Sequence, residues 1–259
     1  MKGNSRNALL VGGFLMLAGV FQSAAAEKVY MTSLDWPPYS GASLPDQGAV
    51  IAVAKAAFAA MGHELEVEFY PWSRAVKLVQ QPNSKYVGYM PEYRYETNDF
   101  QFSQPLGQGP LGLVENRAKP IEWSVVEDLA RYRIGVVQDY VNTKEFDDLV
   151  AAGRVKAETV GTDSQNILKV AAGRLDAAVI DSNVLAYLLA NTPQLAPHAS
   201  KVGMNAKLLE MKNLHAAFAN TEQGTKWRAI LDEGLAKIDA AAILKERMGL
   251  PNQGDPAGR

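Results

Sequence analysis

The sequence predicts an α/β protein built mainly from parallel strands, because helix-like and strand-like segments alternate along the chain. In the strand-like segments hydrophobic residues recur at every second position, and in the helix-like segments at every third or fourth. The strand predicted over residues 64–69 shows the first pattern, since Leu65, Val67 and Phe69 alternate with glutamates. A helix with the second pattern is predicted before it, over residues 50–61.

The later part of the chain continues this alternation. Strands are predicted over residues 134–137 and 177–180, and helices over residues 75–79, 146–150, 167–171, 184–189 and 227–238. Two helix caps are predicted, Asn142 with Glu145 three residues later, and Asp163 at the next helix. The extended segments at residues 111–115 and 207–211 are the places where the chain would cross between two lobes.

The first 26 residues have the three parts of a secretory signal peptide. Lys2 and Arg6 form a positive start, residues 8–20 are apolar, and three alanines ending at Ala26 suit a signal peptidase. A membrane anchor is the alternative, but a span needs about 20 apolar residues and this stretch is shorter. We therefore expect cleavage after Ala26, a periplasmic location and a mature protein that is not embedded in a membrane.

Composition excludes several classes of partner. The chain has 259 residues and a net charge of −2, which becomes −4 when Lys2 and Arg6 leave with the signal peptide. This small and mixed charge argues against nucleic acids and anionic membranes as partners. The chain has no cysteine, so thiol chemistry and disulfides are excluded and the fold depends on its core.

Sequence motifs of nucleotide binding and catalysis are weak or absent. Residues 107–112 match Gly-x-Gly-x-x-Gly, but Pro105 precedes them and Pro110 lies inside them, so a turn is predicted here. No nucleophile elbow and no phosphate-binding loop occurs. The three histidines are far apart and show no ligand spacing, although a metal site made from separated residues stays open. We expect no cofactor and no catalytic residue.

Aromatic and charged residues follow two of the predicted strands. Trp36 lies in Asp-Trp-Pro-Pro-Tyr-Ser after the first strand, and Trp72 and Arg74 lie in Pro-Trp-Ser-Arg-Ala after the strand over residues 64–69. The carboxyl ends of strands are where open α/β sheets bind ligands. The alternatives are that Trp36 covers the core and that Arg74 forms a structural ion pair.

Asp181 is an acid in a comparable position. It directly follows the predicted strand over residues 177–180 and precedes a helix, which places its carboxylate at the ligand-binding edge of the sheet. The alternative is a helix N-cap. Both roles are compatible, because one carboxylate oxygen can cap the helix while the other faces a crevice.

Five segments carry a resemblance to a known family. They are Asp-Trp-Pro-Pro-Tyr-Ser at 35–40, Pro-Trp-Ser-Arg-Ala at 71–75, Phe-Ser-Gln-Pro-Leu at 102–106, Arg-Ile-Gly-Val-Val at 133–137, and Ala-Gly-Arg-Leu-Asp-Ala-Ala at 172–178 leading to Asp181. In this order the chain resembles the family 3 periplasmic solute-binding proteins, the receptors of polar amino acid importers. The resemblance implies the type II periplasmic binding fold, with two α/β lobes that close over a ligand about two hinge strands. Residues 27–112 and 211–259 would form the first lobe, and residues 113–210 the second.

The resemblance also implies contacts with the ligand. Trp36 and Trp72 match aromatic residues that stack on the ligand's side chain. Asp181 matches the carboxylate that pairs with an α-ammonium group. Tyr89 lies on a strand of the first lobe that contacts the ligand.

Two departures from the family pattern concern the ligand. Glu96 stands where amino acid receptors have an arginine that grips the α-carboxylate, and Arg94 and Arg74 are the possible replacements. Asp139 and Tyr140 stand in a loop of the second lobe where small hydroxyl residues are usual. Both changes put binding of an α-amino acid in question. A small polar or cationic solute is still compatible with both changes. Glu96 and Asp139 would favour a cation if their side chains face the cleft.

The expected function is therefore that of a monomeric receptor. It would capture a small polar solute, an amino acid or a related cationic compound, between its lobes and deliver it to an inner-membrane ABC permease. One alternative is a dehydratase-like periplasmic enzyme on the same scaffold, for which Glu96, Asp139 and Asp181 are the candidate acid–base groups. Another alternative is a stand-alone sensor module.

Overall fold

The structure of the chain is a computed structural model that describes residues 26–249. Residues 1–25, which hold nearly all of the predicted signal peptide, lie outside the described residues. Ten strands form one curled sheet, and helices pack on it. This arrangement confirms the predicted α/β class.

Strands and helices have the following bounds. The strands are β1 (Lys28–Ser33), β2 (Glu64–Phe69), β3 (Tyr86–Tyr93), β4 (Phe100–Phe102), β5 (Gly107–Asn116), β6 (Ile134–Val137), β7 (Ala157–Val160), β8 (Ala177–Asp181), β9 (Val202–Met204) and β10 (Glu210–Ala219). The α-helices are α1 (Ala49–Ala60), α2 (Trp72–Val79), α3 (Lys144–Ala151), α4 (Asp163–Ala171), α5 (Ser182–Asn191), α6 (Glu222–Leu235) and α7 (Ala240–Arg247). Short 3-10 helices cover Pro45–Gln47, Val126–Arg131 and Ala196–His198.

The sheet has two parallel halves that meet at an antiparallel junction. The strand order is β2-β1-β3-β10-β5-β8-β6-β7, with β4 paired to β10 and β9 paired to β5. Strands β2, β1 and β3 are parallel and form the sheet of what we call lobe 1. Strands β8, β6 and β7 are parallel and form the sheet of lobe 2. Strands β10 and β5 lie between them and pair antiparallel with their neighbours.

Strand β5 carries the chain from lobe 1 to lobe 2. Its first half, from Gly107 to Leu111, pairs with β10, and its second half, from Leu111 to Glu115, pairs with β8. Residues 107–112, for which a turn was expected, are therefore a strand, because residues 107–111 pair with β10 and residues 111–112 pair with β8. The chain returns through residues 207–211 into β10, so both predicted crossing segments lie at this junction. The predicted boundaries of the lobes stay predictions.

Both predicted helix caps are wrong by one residue. Thr143 rather than Asn142 caps α3, while the Asn142 amide bonds the side chain of Asp147. Thr162 rather than Asp163 caps α4, and Asp163 is the first residue of that helix. In each case the threonine has the extended backbone of a cap, which lets its hydroxyl accept a hydrogen bond from an N–H of the first turn.

Helix α1 is the buried helix of lobe 1 and packs against α6. Its apolar residues, such as Val50 and Phe58, are fully buried, because the helix lies between the sheet and α6. Gly234 of α6 lets the two backbones touch, since a methyl group at this position would lie 2.2 Å from the carbonyl oxygen of Ala57. None of the helices formed by residues 26–249 is long and apolar enough to cross a membrane.

Replacing Gly234 with alanine is expected to lower the free energy of unfolding by about 1–3 kcal/mol, because the new methyl group overpacks against a backbone atom. The higher helix propensity of alanine opposes this loss by only about 1 kcal/mol. Gly161→Ala is the matched control, since the nearest atom to its methyl group would lie 3.6 Å away. Urea denaturation measures both variants, and a Gly234→Ala protein as stable as the wild type would contradict the packing described.

Candidate functional site

A cleft between the lobes is lined by aromatic side chains from both. Trp36 follows β1, Trp72 begins α2, and Tyr140 follows β6; we call these three residues the aromatic wall. They line both an inner cavity of about 30 Å³ and an outer cleft of about 560 Å³. Glu92 also lines the inner cavity, and Asp163 lines the outer cleft. Both lobes therefore contribute to one site.

The aromatic wall is held by ring contacts. Trp72 meets Tyr140 edge to face, with ring centres 6.2 Å apart, and meets Tyr89 of β3 in the same way at 5.3 Å. Trp36 stacks on Tyr39, with ring centres 4.8 Å apart. These are preferred geometries of aromatic pairs, so the contacts define the ring orientations. Tyr89 is fully buried and supports Trp72 rather than lining either space.

Asp139 joins the two lobes at the rim of the cleft. Its backbone oxygen accepts a hydrogen bond from Nε1 of Trp72 at 3.1 Å, and its carboxylate accepts one from the hydroxyl of Ser73. Asp139 has a φ of +61°, a left-handed conformation that aspartate adopts more readily than most residues. The predicted ligand contact at Asp139 is thus engaged with lobe 1 in this structure.

Asp181 joins the lobes at the base of the cleft. It ends β8 and caps α5, accepting hydrogen bonds from the backbone N–H groups of Asn183 at 2.8 Å and Val184 at 3.2 Å. The hydroxyl of Tyr39 in lobe 1 donates to the same carboxylate at 3.2 Å, and the Asn183 side chain donates to that hydroxyl at 2.7 Å. Asp181 is therefore both a helix cap and a contact between the lobes. Its pairing with a ligand stays a prediction.

Two buried carboxylates that were not predicted as site residues flank the aromatic wall. Glu92 and Asp163 are each only 7% exposed. Burial raises the pKa of Glu92 to about 8, although hydrogen bonds from the Tyr93 backbone and the Tyr89 side chain, and the charge of Lys212, oppose the rise. Burial, and then the charge of Asp181, raise the pKa of Asp163 to about 7, against a hydrogen bond from Trp36. Burial also raises the pKa of Asp181 to about 6. The site is acidic, and its carboxylates are buried.

The other predicted contacts lie outside the lining of both spaces. Arg74 is exposed, and its guanidinium lies 5.1 Å from the ring centre of Tyr70. Arg94 is exposed and lies 5.9 Å from the ring centre of Phe102. Glu96 is exposed beyond the end of β3. The ligand contacts of these three residues stay predictions. Within residues 26–249 no three acidic or histidine side chains come together to hold a metal ion.

Solved structures share this architecture, whereas no family model and no curated protein matches the chain. A histidine kinase sensor domain similar to periplasmic binding proteins matches with a TM-score of 0.71 and 16% identity, covering 87% of this chain and 96% of that one. The amino acid ABC transporter substrate-binding protein AbpA of Streptococcus pneumoniae, bound to L-arginine, matches with a TM-score of 0.66 and 18% identity, covering 86% and 93%. An ancestral arginine-binding protein bound to arginine matches with a TM-score of 0.68 and 17% identity, covering 87% and 98%.

The chain has the two-lobed periplasmic-binding fold. The resemblance read from the five sequence segments is thereby confirmed for the fold. In a periplasmic-binding fold the lobes close on a ligand by hinge motion, and here β5 and β10 are the strands between the lobes. In this structure Asp139 and Asp181 both bond residues of lobe 1 and so hold the two lobes together.

We expect the free energy of unfolding to fall as the pH rises from about 4 to about 8. Glu92, Asp163 and Asp181 hold their protons more tightly when folded, with pKa values raised to about 8, 7 and 6, so folding loses stability as they ionise. Each unit of raised pKa is worth about 1.4 kcal/mol. Urea denaturation across this pH range measures the slope.

Glu92→Gln is expected to flatten this slope, because it removes the group with the highest of the three pKa values. The control is Glu127→Gln, which removes an exposed carboxylate and is expected to keep the wild-type slope. Equal slopes in the wild type and in Glu92→Gln would show that Glu92 is not buried in the way described.

Removing the Tyr39 hydroxyl is expected to loosen the contact between the lobes. Tyr39→Phe deletes the hydrogen bonds to Asp181 and Asn183, which costs about 1 kcal/mol and shifts the protein towards an open arrangement. Small-angle X-ray scattering would show a larger radius of gyration. Tyr95→Phe is the control, since its hydroxyl bonds residues of lobe 1, Tyr89 and Thr97, and the radius is expected to stay unchanged. The same radius in both variants would contradict the role of Tyr39.

Proposed function

We propose that this protein is a periplasmic solute receptor that captures a small polar solute between its lobes and delivers it to an inner-membrane ABC permease. The aromatic wall carries the proposal, because Trp36 and Trp72 come from lobe 1 and Tyr140 from lobe 2. A solute that touches all three favours the closed arrangement over the open one. Capture needs no covalent step.

Three observations support the periplasmic location and the transport role. The first 26 residues have the pattern of a cleavable signal peptide, which would place the mature protein in the periplasm. Two of the similar structures are an amino acid ABC transporter substrate-binding protein and an arginine-binding protein, each bound to arginine. The cleft of about 560 Å³ lies in the range of small-molecule sites.

A sensor module is the second candidate function. The histidine kinase sensor domain has the same fold and a TM-score of 0.71 with this chain. A receptor and a sensor would share the solute site. They would differ in the membrane protein that binds the closed arrangement. Deleting the gene in the source bacterium distinguishes them, because loss of a transport receptor lowers uptake of the labelled solute. Unchanged uptake with an altered transcriptional response to the solute would favour the sensor.

Trp72→Ala is expected to weaken solute binding by about tenfold or more, because it removes a large ring from the aromatic wall and tenfold corresponds to 1.4 kcal/mol. A thermal-shift screen against amino acids, amines, sugars and organic acids identifies the solute, and calorimetry then measures the affinity. Trp123→Ala is the control, since its ring packs on Lys207 outside the cleft lining. Undiminished binding in Trp72→Ala would contradict the proposed site.

A further inference from the structure

Resting on the proposed receptor function, we propose that the solute is an organic cation without a carboxylate, an amine rather than an amino acid, whose charged group is held by Glu92 and Asp163. Three features of the cleft carry this inference. They are a buried hydroxyl without a hydrogen-bond partner beside the inner cavity, an acid on each side of the aromatic wall, and a lining without basic side chains.

One residue of the inner cavity's lining carries a buried hydroxyl that lacks a partner. Tyr93 lines it together with Glu92 and is 7% exposed, and among the described residues its hydroxyl has no hydrogen-bond partner. A buried hydroxyl without a partner is costly, and a ligand N–H can donate to its oxygen. The carboxylate of Glu92 on the same strand accepts N–H donors as well, so both groups suit an ammonium or guanidinium group.

Asp163 presents a second acid from lobe 2. It lines the outer cleft, whose lining shares the whole aromatic wall with the inner cavity. Tyr140 lies near enough to both acids to feel their charges. Burial raises the pKa of its hydroxyl most, and the charges of Asp163 and Glu92 raise that pKa further. A cation against the wall would therefore meet an acid from each lobe. A cation that contacted the face of one of these rings would gain cation–π attraction as well.

The lining of both spaces contains no arginine or lysine among residues 26–249. Arg74 lies against Tyr70 and Arg94 against Phe102, both outside the lining. Lys212 is buried, lies over the ring of Tyr93 and lowers the pKa of Glu92 by its charge, but it pairs with Glu210 at 3.6 Å and lines neither space. An α-carboxylate in the cleft would therefore lack the basic partner that carboxylate recognition uses.

The start of α4 does not replace that missing partner. The positive end of a helix can hold an anion, but Asp163 is the first residue of α4 and brings its own carboxylate there. A ligand carboxylate would meet a like charge at this position. The cleft therefore discriminates against amino acids by charge and accepts their decarboxylated counterparts.

Isothermal titration calorimetry of the mature protein tests this with two matched pairs of probes. Agmatine is arginine without its α-carboxylate, and cadaverine is lysine without its α-carboxylate. We expect at least one of the two amines to bind at least tenfold more tightly than its parent amino acid. Binding of arginine and lysine as tight as that of both amines would overturn the inference.

Glu92→Gln is expected to weaken binding of the preferred amine at least tenfold, whereas the exposed control Glu127→Gln leaves it unchanged. Circular dichroism confirms folding, and Asp163→Asn takes the place of Glu92→Gln if that variant does not fold. An affinity that both acid variants leave intact overturns the assignment.

The outcomes separate this inference from the receptor function. A sugar, organic acid or amino acid that binds with an affinity independent of Glu92 would overturn the cation inference and leave the receptor function standing. A folded protein that binds no amine and no other solute of the panel would overturn both.

Discussion

The position of the two lobes relative to each other depends on the hydrogen bonds that Tyr39 makes with Asp181 and Asn183. Asp181 is held twice, by the backbone of α5 and by a hydroxyl of the other lobe. The hinge strand β5 passes directly beside this contact, and only glycine fits at position 109, because a methyl group there would lie 2.1 Å from Oδ2 of Asp181. The hinge and the contact between the lobes are therefore one packed unit.

The site follows from this closed arrangement. Tyr140 meets Trp72 only because lobe 2 is held against lobe 1, with Asp139 bonding Trp72 and Ser73 at the rim. Glu92 and Asp163 are buried in this arrangement. A buried carboxylate is costly unless it is protonated or paired with a cation. The raised pKa values of these acids and the proposed preference for a cationic solute thus have the same physical origin.

The fold alone does not decide between transport and sensing. The solved structures that share it include an importer's binding protein and a kinase sensor domain. Under either proposed function, a solute would act by its different affinity for the closed and open arrangements. The chemistry of the cleft lining consequently says more about this protein than its architecture does.

Local patterns predicted much of the fold and part of the site. Strands β2 and β6 match their predicted bounds residue for residue. The apolar residues of a strand alternate when one face of the sheet is buried and are continuous when both faces are, so the pattern marks where the strand begins and ends. Trp36 and Trp72 were found because they follow strand ends, and Tyr140 because it departs from a family pattern. The caps were misplaced because neighbouring residues such as Asn142 and Thr143 can both cap a helix, and the path of the loop decides between them.

Glu92 and Asp163 were missed for a different reason. A glutamate within β3, a strand whose eight residues are all buried, is a signal that could have been noticed. The burial of Asp163, however, depends on a lobe whose strands lie far away in the sequence. The sequence by itself determined the α/β class, the order of the elements and the aromatic residues at the strand ends. Only the tertiary structure decided which charges face the cleft, because their burial depends on how the two lobes meet.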